Sequence, residues 1–366
     1  MSDNRIPGKK TRIISIGNVK IGGDNPVAVQ SMTKTFTHNV KATIKQIKEL
    51  EKAGCQIVRC AVPQVRDALA IKEIKKHIHI PLVADIQFDH RLALLAIKAG
   101  ADKIRINPGN IGGTEKLGAV VSVAKEKKIP IRVGVNSGSL EKDILARYKH
   151  PTAEALVESA LRNIRILERL DFHDIVVSIK STSVPETIKA YRILSKKVDY
   201  PLHVGITEAG IGTAGTVRST VGIGALLAQG IGDTIRVSLT GDPVKEVVIA
   251  REILKSLELI KGVSVISCPT CGRCKINVEK IAKKIEDRIK GINHEVERSA
   301  HFMVKKQLKI AIMGCAVNGP GEAADADVGF AGGDKVGLIF RNGKIIKKIK
   351  ESRAIEEIMN EVRKLI

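Results

Sequence analysis

The feature that most limits what this chain can fold into is a rhythm, a short β-branched run followed by a charged helical stretch, repeated eight times. The runs are 27–31, 57–62, 81–86, 103–107, 129–136, 174–180, 201–207 and 234–239. Helical patterns fill 40–52, 65–76, 91–99, 114–127, 153–169, 185–197, 216–229 and 243–259. Strands that alternate with helices pair in parallel and bury both faces. Eight such units in about 250 residues match the count and length of a (β/α)8 TIM barrel. A doubly wound open sheet is the alternative, but no GxGxxG turn follows the first strand, and eight regular repeats favour closure. Asp242-Pro243 and Ser183-Val184-Pro185 put a capping residue and a proline where two helices begin. Ahead of the repeats, 12–21 alternates around Gly17 and Asn18 like a hairpin.

Near Leu259 the rhythm stops. A strand at 263–266, a cysteine loop, a helix at 278–289 and a strand at 308–313 follow. A hairpin at 335–349 turns at Arg341-Asn342-Gly343, and a helix over 351–366 closes the chain. At 366 residues the chain is longer than one core usually supports. The expected division is a substrate-binding barrel over 1–259 and a small α+β domain over 260–366.

The cysteines of that second domain are its distinguishing chemistry. Ser267-Cys268-Pro269-Thr270-Cys271-Gly272-Arg273-Cys274 spaces three thiols so that they can converge on one soft metal centre. Gly314-Cys315-Ala316-Val317-Asn318-Gly319-Pro320-Gly321-Glu322 supplies a distant fourth cysteine at a strand end. This is the spacing of an iron–sulfur or zinc site, with buried bystander thiols as the alternative. Six cysteines are too few for a disulfide scaffold, and their clustering argues for a reducing compartment. Residues 1–12 are polar, without the apolar core of a signal peptide, and no run approaches about eighteen apolar residues. A soluble cytoplasmic protein is expected.

The formal charge of +22 admits nucleic acid, an anionic small substrate or an acidic protein partner. Much of it is lysine on solvated helical faces. Aromatic residues make up only 2%, which counts against stacking on single-stranded nucleic acid. A non-catalytic, nucleic-acid-binding cluster protein and a zinc hydrolase nevertheless stand as rival readings. The more telling charges lie inside the strands. Barrel strands should be continuously apolar, yet Arg59, Arg105, Arg132, Lys180 and Arg236 interrupt five of them. Same-face spacing joins Arg105 to Asn107, Arg132 to Asn136, Lys180 to Ser178 and Arg236 to Ser238, at or near C-terminal strand ends. Asp85 and Glu208 are the carboxylates available at strand ends, too few to balance five cations. The surplus predicts a polyanionic ligand, and the forked guanidinium suits phosphate. Whether Asp85 and Glu208 act as acid and base or only as partners of the arginines stays open. A phosphate-binding barrel joined to a cluster domain points to reductive chemistry.

The segments SIGNVKIGGDNPVAVQSMT, VADIQFD, RINPGNIG, VGVNSGSLEKD, GITEAG, GIGDTIRVSL, SCPTC and GCAVNGPGE, in this order, resemble the 4-hydroxy-3-methylbut-2-en-1-yl diphosphate synthases of the methylerythritol phosphate isoprenoid pathway. The absence of a domain inserted between barrel and cysteine domain resembles the short two-domain bacterial form. The resemblance implies reductive ring opening of 2-C-methyl-D-erythritol 2,4-cyclodiphosphate, with two electrons taken up and a hydroxyl lost as water. It implies a [4Fe-4S] cluster held by Cys268, Cys271, Cys315 and Glu322, where a carboxylate ligand binds iron more weakly than thiolate. The diphosphate would sit among Arg59, Arg105, Arg132, Lys180 and Arg236, with Asn107, Asn136, Ser238, Asp85 and Glu208 lining the pocket. A homodimer in which the cluster domain caps the partner's barrel is implied, as are flavodoxin or ferredoxin as electron donors. Two positions depart from the family pattern: Cys274 adds a third cysteine after SCPTC, and Gln87 replaces a histidine that could titrate. Cys55 and Cys60 are expected to be core thiols.

Overall fold

The computed structural model describes residues 10–298, 307–316 and 319–366, so Val317 and Asn318 of the GCAVNGPGE segment lie outside the described residues, as do residues 1–9. The chain forms two compact units, Met1–Leu259 and Ile260–Ile366. No helix among the described residues is long and apolar enough to cross a membrane.

In the first unit the antiparallel hairpin of β1 (Ile14–Ile16) and β2 (Val19–Ile21) precedes eight parallel strands. These are β3 (Ala28–Met32), β4 (Ile57–Ala61), β5 (Leu82–Asp85), β6 (Lys103–Ile106), β7 (Ile131–Asn136), β8 (Ile175–Lys180), β9 (His203–Val204) and β10 (Thr234–Ile235). The helices outside them are α1 (Val40–Lys52), α2 (Val65–Lys75), α3 (His90–Lys98), α4 (Thr114–Lys127), α5 (Lys142–Tyr148), α6 (Ala153–Arg169), α7 (Val184–Lys197), α8 (Gly212–Leu227) and α9 (Pro243–Ser256). Several begin where the sequence places a cap: Asn39, Asp89, Thr152, Ser183 and Asp242 each accept a first-turn backbone N–H.

The strand order β8-β7-β6-β5-β4-β3-β10-β9 is closed by one parallel bridge, Val177 to Leu202, giving a nearly closed barrel. Followed from strand to strand once round the ring, the register returns to β3 displaced by eight residues. That is the stagger of a TIM barrel, in which inward side chains stack in layers of four from alternate strands. The register therefore assigns depths. Ile57, Lys103, Val176 and Thr234 form the floor, with Gln30, Val83, Arg132 and His203 above it. Next come Arg59, Arg105, Ser178 and Arg236, then Met32, Asp85, Gly134 and Gly205. Asn107, Lys180 and Ser238 reach the rim, and Asn136 stands higher. Ile14, Ile16 and Ile21 of the hairpin pack on Ala28, Ile57, Val83 and Val176, sealing the lower end. Only the C-terminal mouth is left for a ligand.

The eight-unit rhythm is borne out, with three differences. The strands expected at 201–207 and 234–239 shorten to two residues each. A Cβ at Gly205 would strike the Arg236 carbonyl, so the two chains run too close there for a regular ladder. Helix α5 was not expected; Glu141, just before it, is held by Ser159 Oγ at 2.6 Å and Asn163 Nδ2 at 2.9 Å.

The second unit is a five-stranded sheet ordered β11 (Val263–Ser267), β12 (Leu308–Met313), β13 (Val328–Gly332), β14 (Val336–Arg341) and β15 (Lys344–Lys350). The first three strands are parallel and the last three antiparallel to their neighbours in a meander. Helices α10 (Val278–Arg298) and α12 (Ala354–Arg363) bury Ile281, Ile285, Ile358 and Val362 against one face. The short α11 (Gly319–Glu322) lies toward the other, close enough that a Cβ at Gly319 would strike those of Met313 and Ala331. Asn342 and Gly343 both have positive φ, 47° and 74°, as the tight hairpin turn requires. Strand β13, VGFAG, escaped the sequence reading because glycine occupies positions with no room for a side chain: a Cβ at Gly329 would collide with Phe340, and one at Gly332 with Ile276.

Candidate functional site

The barrel interior concentrates cations. Arg59, Lys103, Arg105, Arg132, Lys180 and Arg236 all face inward by register, one more than the five the sequence drew attention to, since Lys103 went unnoticed. Space for them is made by missing side chains. A Cβ at Gly134 would run into Arg105 Nε, and one at Gly205 would lie 2.8 Å from Lys180 Nζ.

Two carboxylates answer them. Asp85 binds Arg105 Nη1 at 3.1 Å and stands 3.7 Å from Arg59 Nε. Burial alone would raise its pKa, but Arg59, Arg105 and Arg132 outweigh burial and hold it below the usual carboxylate value. The second is Glu246, from the first turn of α9, 1% exposed and bonded to Arg236 at 3.2 Å, Lys34 at 3.1 Å and Ser31 Oγ at 3.1 Å. Sequence reasoning missed Glu246 because it lies on a helix rather than at a strand end. Glu208, expected at the mouth, is exposed, with φ +51° and no hydrogen-bond or ionic partner among the described residues.

The remaining interior groups are under-satisfied. Arg59 donates to the Met32 thioether at 2.8 and 3.1 Å, and burial brings its guanidinium down to about 10. Arg132 is 1% exposed, and neither its Nε nor its Nη1 has a partner. Lys103 is fully buried with Nζ unpartnered. The Asn107 Oδ1 caps the turn at Pro108–Asn110 by accepting from Gly109 N at 3.2 Å, while its Nδ2 is free. Lys180 Nζ lies 3.3 Å from His203 Nε2, and His203 Nδ1 lies 2.8 Å from Thr234 Oγ1. Burial, then the repulsion of neighbouring cations, pushes Lys103, Arg132, Lys180 and His203 well below their ordinary values. Half-buried Ser238 and Asn136 stand at the rim without side-chain partners. Such an array of buried donors and excess positive charge is costly until an anion enters.

Phe36, Phe88 and Ile211, in loops that follow β3, β5 and β9, are exposed by 77, 68 and 70%. They give the mouth an apolar rim. Gln87, beside Phe88, is exposed as well. Cys55 and Cys60 are buried, and burial raises each thiol to about 12, the behaviour of core thiols.

In the second unit the cysteine loop follows β11 and returns to β12. Cys268 N donates to Ile312 O at 3.1 Å, and Lys275 N to Gly314 O at 3.0 Å. Gly314 is the pivot: its N–H donates to Cys268 Sγ at 3.1 Å, and a Cβ there would meet Cys274 Sγ at 2.6 Å and Cys268 Sγ at 3.2 Å. The loop thus brings Cys268 and Cys274 together, whereas Cys271 and Glu322 are exposed and Cys315 is half-buried. Cys274 Sγ also donates to Ile276 O at 3.1 Å. Among the described residues, no three Cys, His, Asp or Glu side chains are assembled as a metal-binding group. The donor set nevertheless suits a thiophilic metal centre: soft sulfurs beside a glycine with no side chain to obstruct them, one already accepting a backbone N–H.

Comparison with known proteins bears on both units. A family model described as the GcpE TIM-barrel domain matches residues 11–251, and one described as the GcpE protein C-terminal domain matches 264–364. A protein of Caldanaerobacter subterraneus subsp. tengcongensis named 4-hydroxy-3-methylbut-2-en-1-yl diphosphate synthase (flavodoxin) is 60% identical over 359 residues, covering 98% of each chain. Proteins of the same name from Clostridium perfringens and Thermodesulfovibrio yellowstonii are 57 and 54% identical, over 96 and 98% of this chain and 97 and 100% of theirs.

Proposed function

The chain belongs to the GcpE family of 4-hydroxy-3-methylbut-2-en-1-yl diphosphate synthases, and from that premise we propose how its residues open and reduce 2-C-methyl-D-erythritol 2,4-cyclodiphosphate. The observation that carries the reading is the barrel lumen, where inward cations outnumber carboxylates and Arg132 and Lys103 lack any partner. Each phosphate of the cyclic substrate has one ionised oxygen, so the substrate is a dianion. Two electrons and one proton convert it into a linear diphosphate trianion and water, as the ring C–O bond and the C–OH bond both break. The lumen therefore gains a negative charge during the reaction. Preorganised guanidinium and ammonium groups favour that state over the starting one, which is electrostatic catalysis.

Roles follow from depth and pairing. Arg59, Arg105, Arg132, Lys180 and Arg236 grip the phosphates, and Asn107, Asn136 and Ser238 at the rim orient the erythritol carbons. Asp85, bound to two arginines and kept ionised, holds those cations in place. Glu208, exposed in the loop after β9 and without a partner among the described residues, is the better donor of the proton to the departing hydroxyl. Cys268, Cys271, Cys315 and Glu322 would hold a [4Fe-4S] cluster, which when bound supplies electrons one at a time. Cys274, beside Cys268, is a bystander in this assignment. The relatives' names carry flavodoxin, and a +22 chain attracts an acidic carrier such as flavodoxin or ferredoxin at low salt. The apolar rim of Phe36, Phe88 and Ile211 supports a homodimer in which the partner's cluster unit covers the barrel mouth. Six cysteines, too few and too clustered for a disulfide scaffold, suit a reducing cytoplasm.

The test is steady-state turnover of the cyclic diphosphate with reduced flavodoxin and anaerobically reconstituted protein. Glu208→Gln should lower kcat by roughly a hundredfold to ten-thousandfold with little change in KM. Undiminished kcat would remove Glu208 from proton transfer, and no turnover by the parent protein would remove the assignment as a whole.

A further inference from the structure

The deepest part of the lumen has a chemistry that the rim does not explain. Lys103 stands in the floor layer, beside Ile57, Val176 and Thr234, three layers below Asp85. Its Nζ is fully buried and without a partner. In the layer immediately above, Arg132 Nε and Nη1 and both polar atoms of Gln30 are likewise unpartnered. Gln30 is 1% exposed, so water at the mouth does not serve it. Gln30 Oε1 would accept from Lys103 or Arg132 if they met. It does not, so Gln30, Lys103 and Arg132 leave their hydrogen-bonding capacity unspent in the same two layers. The one other polar group of that layer, His203, is already engaged by Lys180 and Thr234.

Charge points the same way. Counted as protonated, the six inward cations outnumber two carboxylates, Asp85 and a Glu246 shared with Lys34, and a dianionic substrate by at least two charges. A phosphate gripped between Arg59, Arg105 and Arg236 lies at their level or higher, above the floor. An unpaired ammonium at the bottom of an apolar-sealed barrel is otherwise among the most costly arrangements a core can hold. Donors predominate among the free atoms: an ammonium, two guanidinium N–H edges and an amide NH2. That set matches a small, spherical, weakly hydrated monoanion rather than a cation or a planar carboxylate.

We propose that the barrel floor holds a halide-sized inorganic anion, bound by Lys103 Nζ with the free edge of Arg132 and the Gln30 amide, as a structural counter-ion beneath the substrate. It neutralises Lys103 and shares Arg132 with the phosphates above, so that the substrate needs to balance only the upper cations. The site rests on the proposed substrate only for its position below the phosphates; the unpartnered atoms stand without it.

Bromide serves as the probe. In crystals of the full chain soaked in bromide, an anomalous peak is expected beside Lys103 Nζ, retained when the cyclic diphosphate is bound and absent in Lys103→Met. In solution, the parent protein should melt at a higher temperature in sodium bromide than in sodium gluconate at equal ionic strength, because gluconate is too large for the floor. Lys103→Met should melt alike in both salts, and above the parent in gluconate, where it removes an unpaired buried charge. Gln30→Leu, which changes no charge, should reduce the bromide shift and keep part of it. No peak, or a bromide shift that survives in Lys103→Met, overturns the site. Displacement of bromide by the cyclic diphosphate also overturns it, by placing the ion among the phosphate ligands, while leaving the proposed function intact. Bromide at Lys103 in a protein that fails to bind the cyclic diphosphate would uphold the site and refute the substrate.

Discussion

The barrel and the C-terminal unit present their reactive groups in opposite ways. In the barrel the cations and Asp85 project from strands, are buried or nearly so, and have depths set by a ladder of backbone hydrogen bonds. In the C-terminal unit they sit on loops that leave β11 and β12, where Gly314 draws Cys268 and Cys274 together and Cys271 and Glu322 stand exposed. A strand ladder holds charges in place against their mutual repulsion because the surrounding helices and aliphatic contacts supply the stability. A loop has no such support, so its donors take their final arrangement from the ligand they close on. The proposed anion site is therefore preformed and strained by its own charge, whereas the proposed metal site would be completed by its metal.

The largest effect expected from that contrast is at the thiols. Cys268→Ala should abolish turnover and bound iron, yet leave affinity for the cyclic diphosphate within about twofold, as independent sites require. A parallel loss of substrate binding would show that the two regions are not separable. Next is Asp85→Asn, which strands two buried guanidinium groups and should destabilise the protein at neutral pH by roughly 3–5 kcal/mol. The Asp85 pKa is lowered on folding, so its contribution is complete above the ordinary carboxylate value and is lost as pH falls through the depressed one. The stability gap between parent and variant, followed by urea unfolding, should therefore narrow only below about pH 4. A gap unchanged between neutral and strongly acidic pH would mean that the pairing does not stabilise the barrel. Smallest is Arg132: Arg132→Ala should weaken substrate binding by about 1.5–3 kcal/mol, and Arg132→Lys by less, since lysine keeps the charge and loses only the fork. Calorimetry finding Arg132→Lys equal to the parent would argue against a bidentate phosphate contact.

The eightfold alternation, the cations embedded in aliphatic strands and the cysteine spacing were all legible in the sequence. Each is a local pattern of residue type against a period of two or 3.6. Strand β13 and helix α5 were not, because glycine and alanine in one, and a seven-residue helix of about two turns in the other, carry too little periodic signal. Depth was beyond any local pattern. Arg105 and Lys103 are two residues apart on one face of β6, yet one is paired with Asp85 while the other lies unpartnered on the floor. Glu246 reaches Arg236 from a helix and joins it to Ser31, 215 residues away in the chain. Which charges meet, and which are left alone, follows from the eight-residue stagger with which the ring closes. That stagger is a property of all eight strands together, so only the folded barrel decides it.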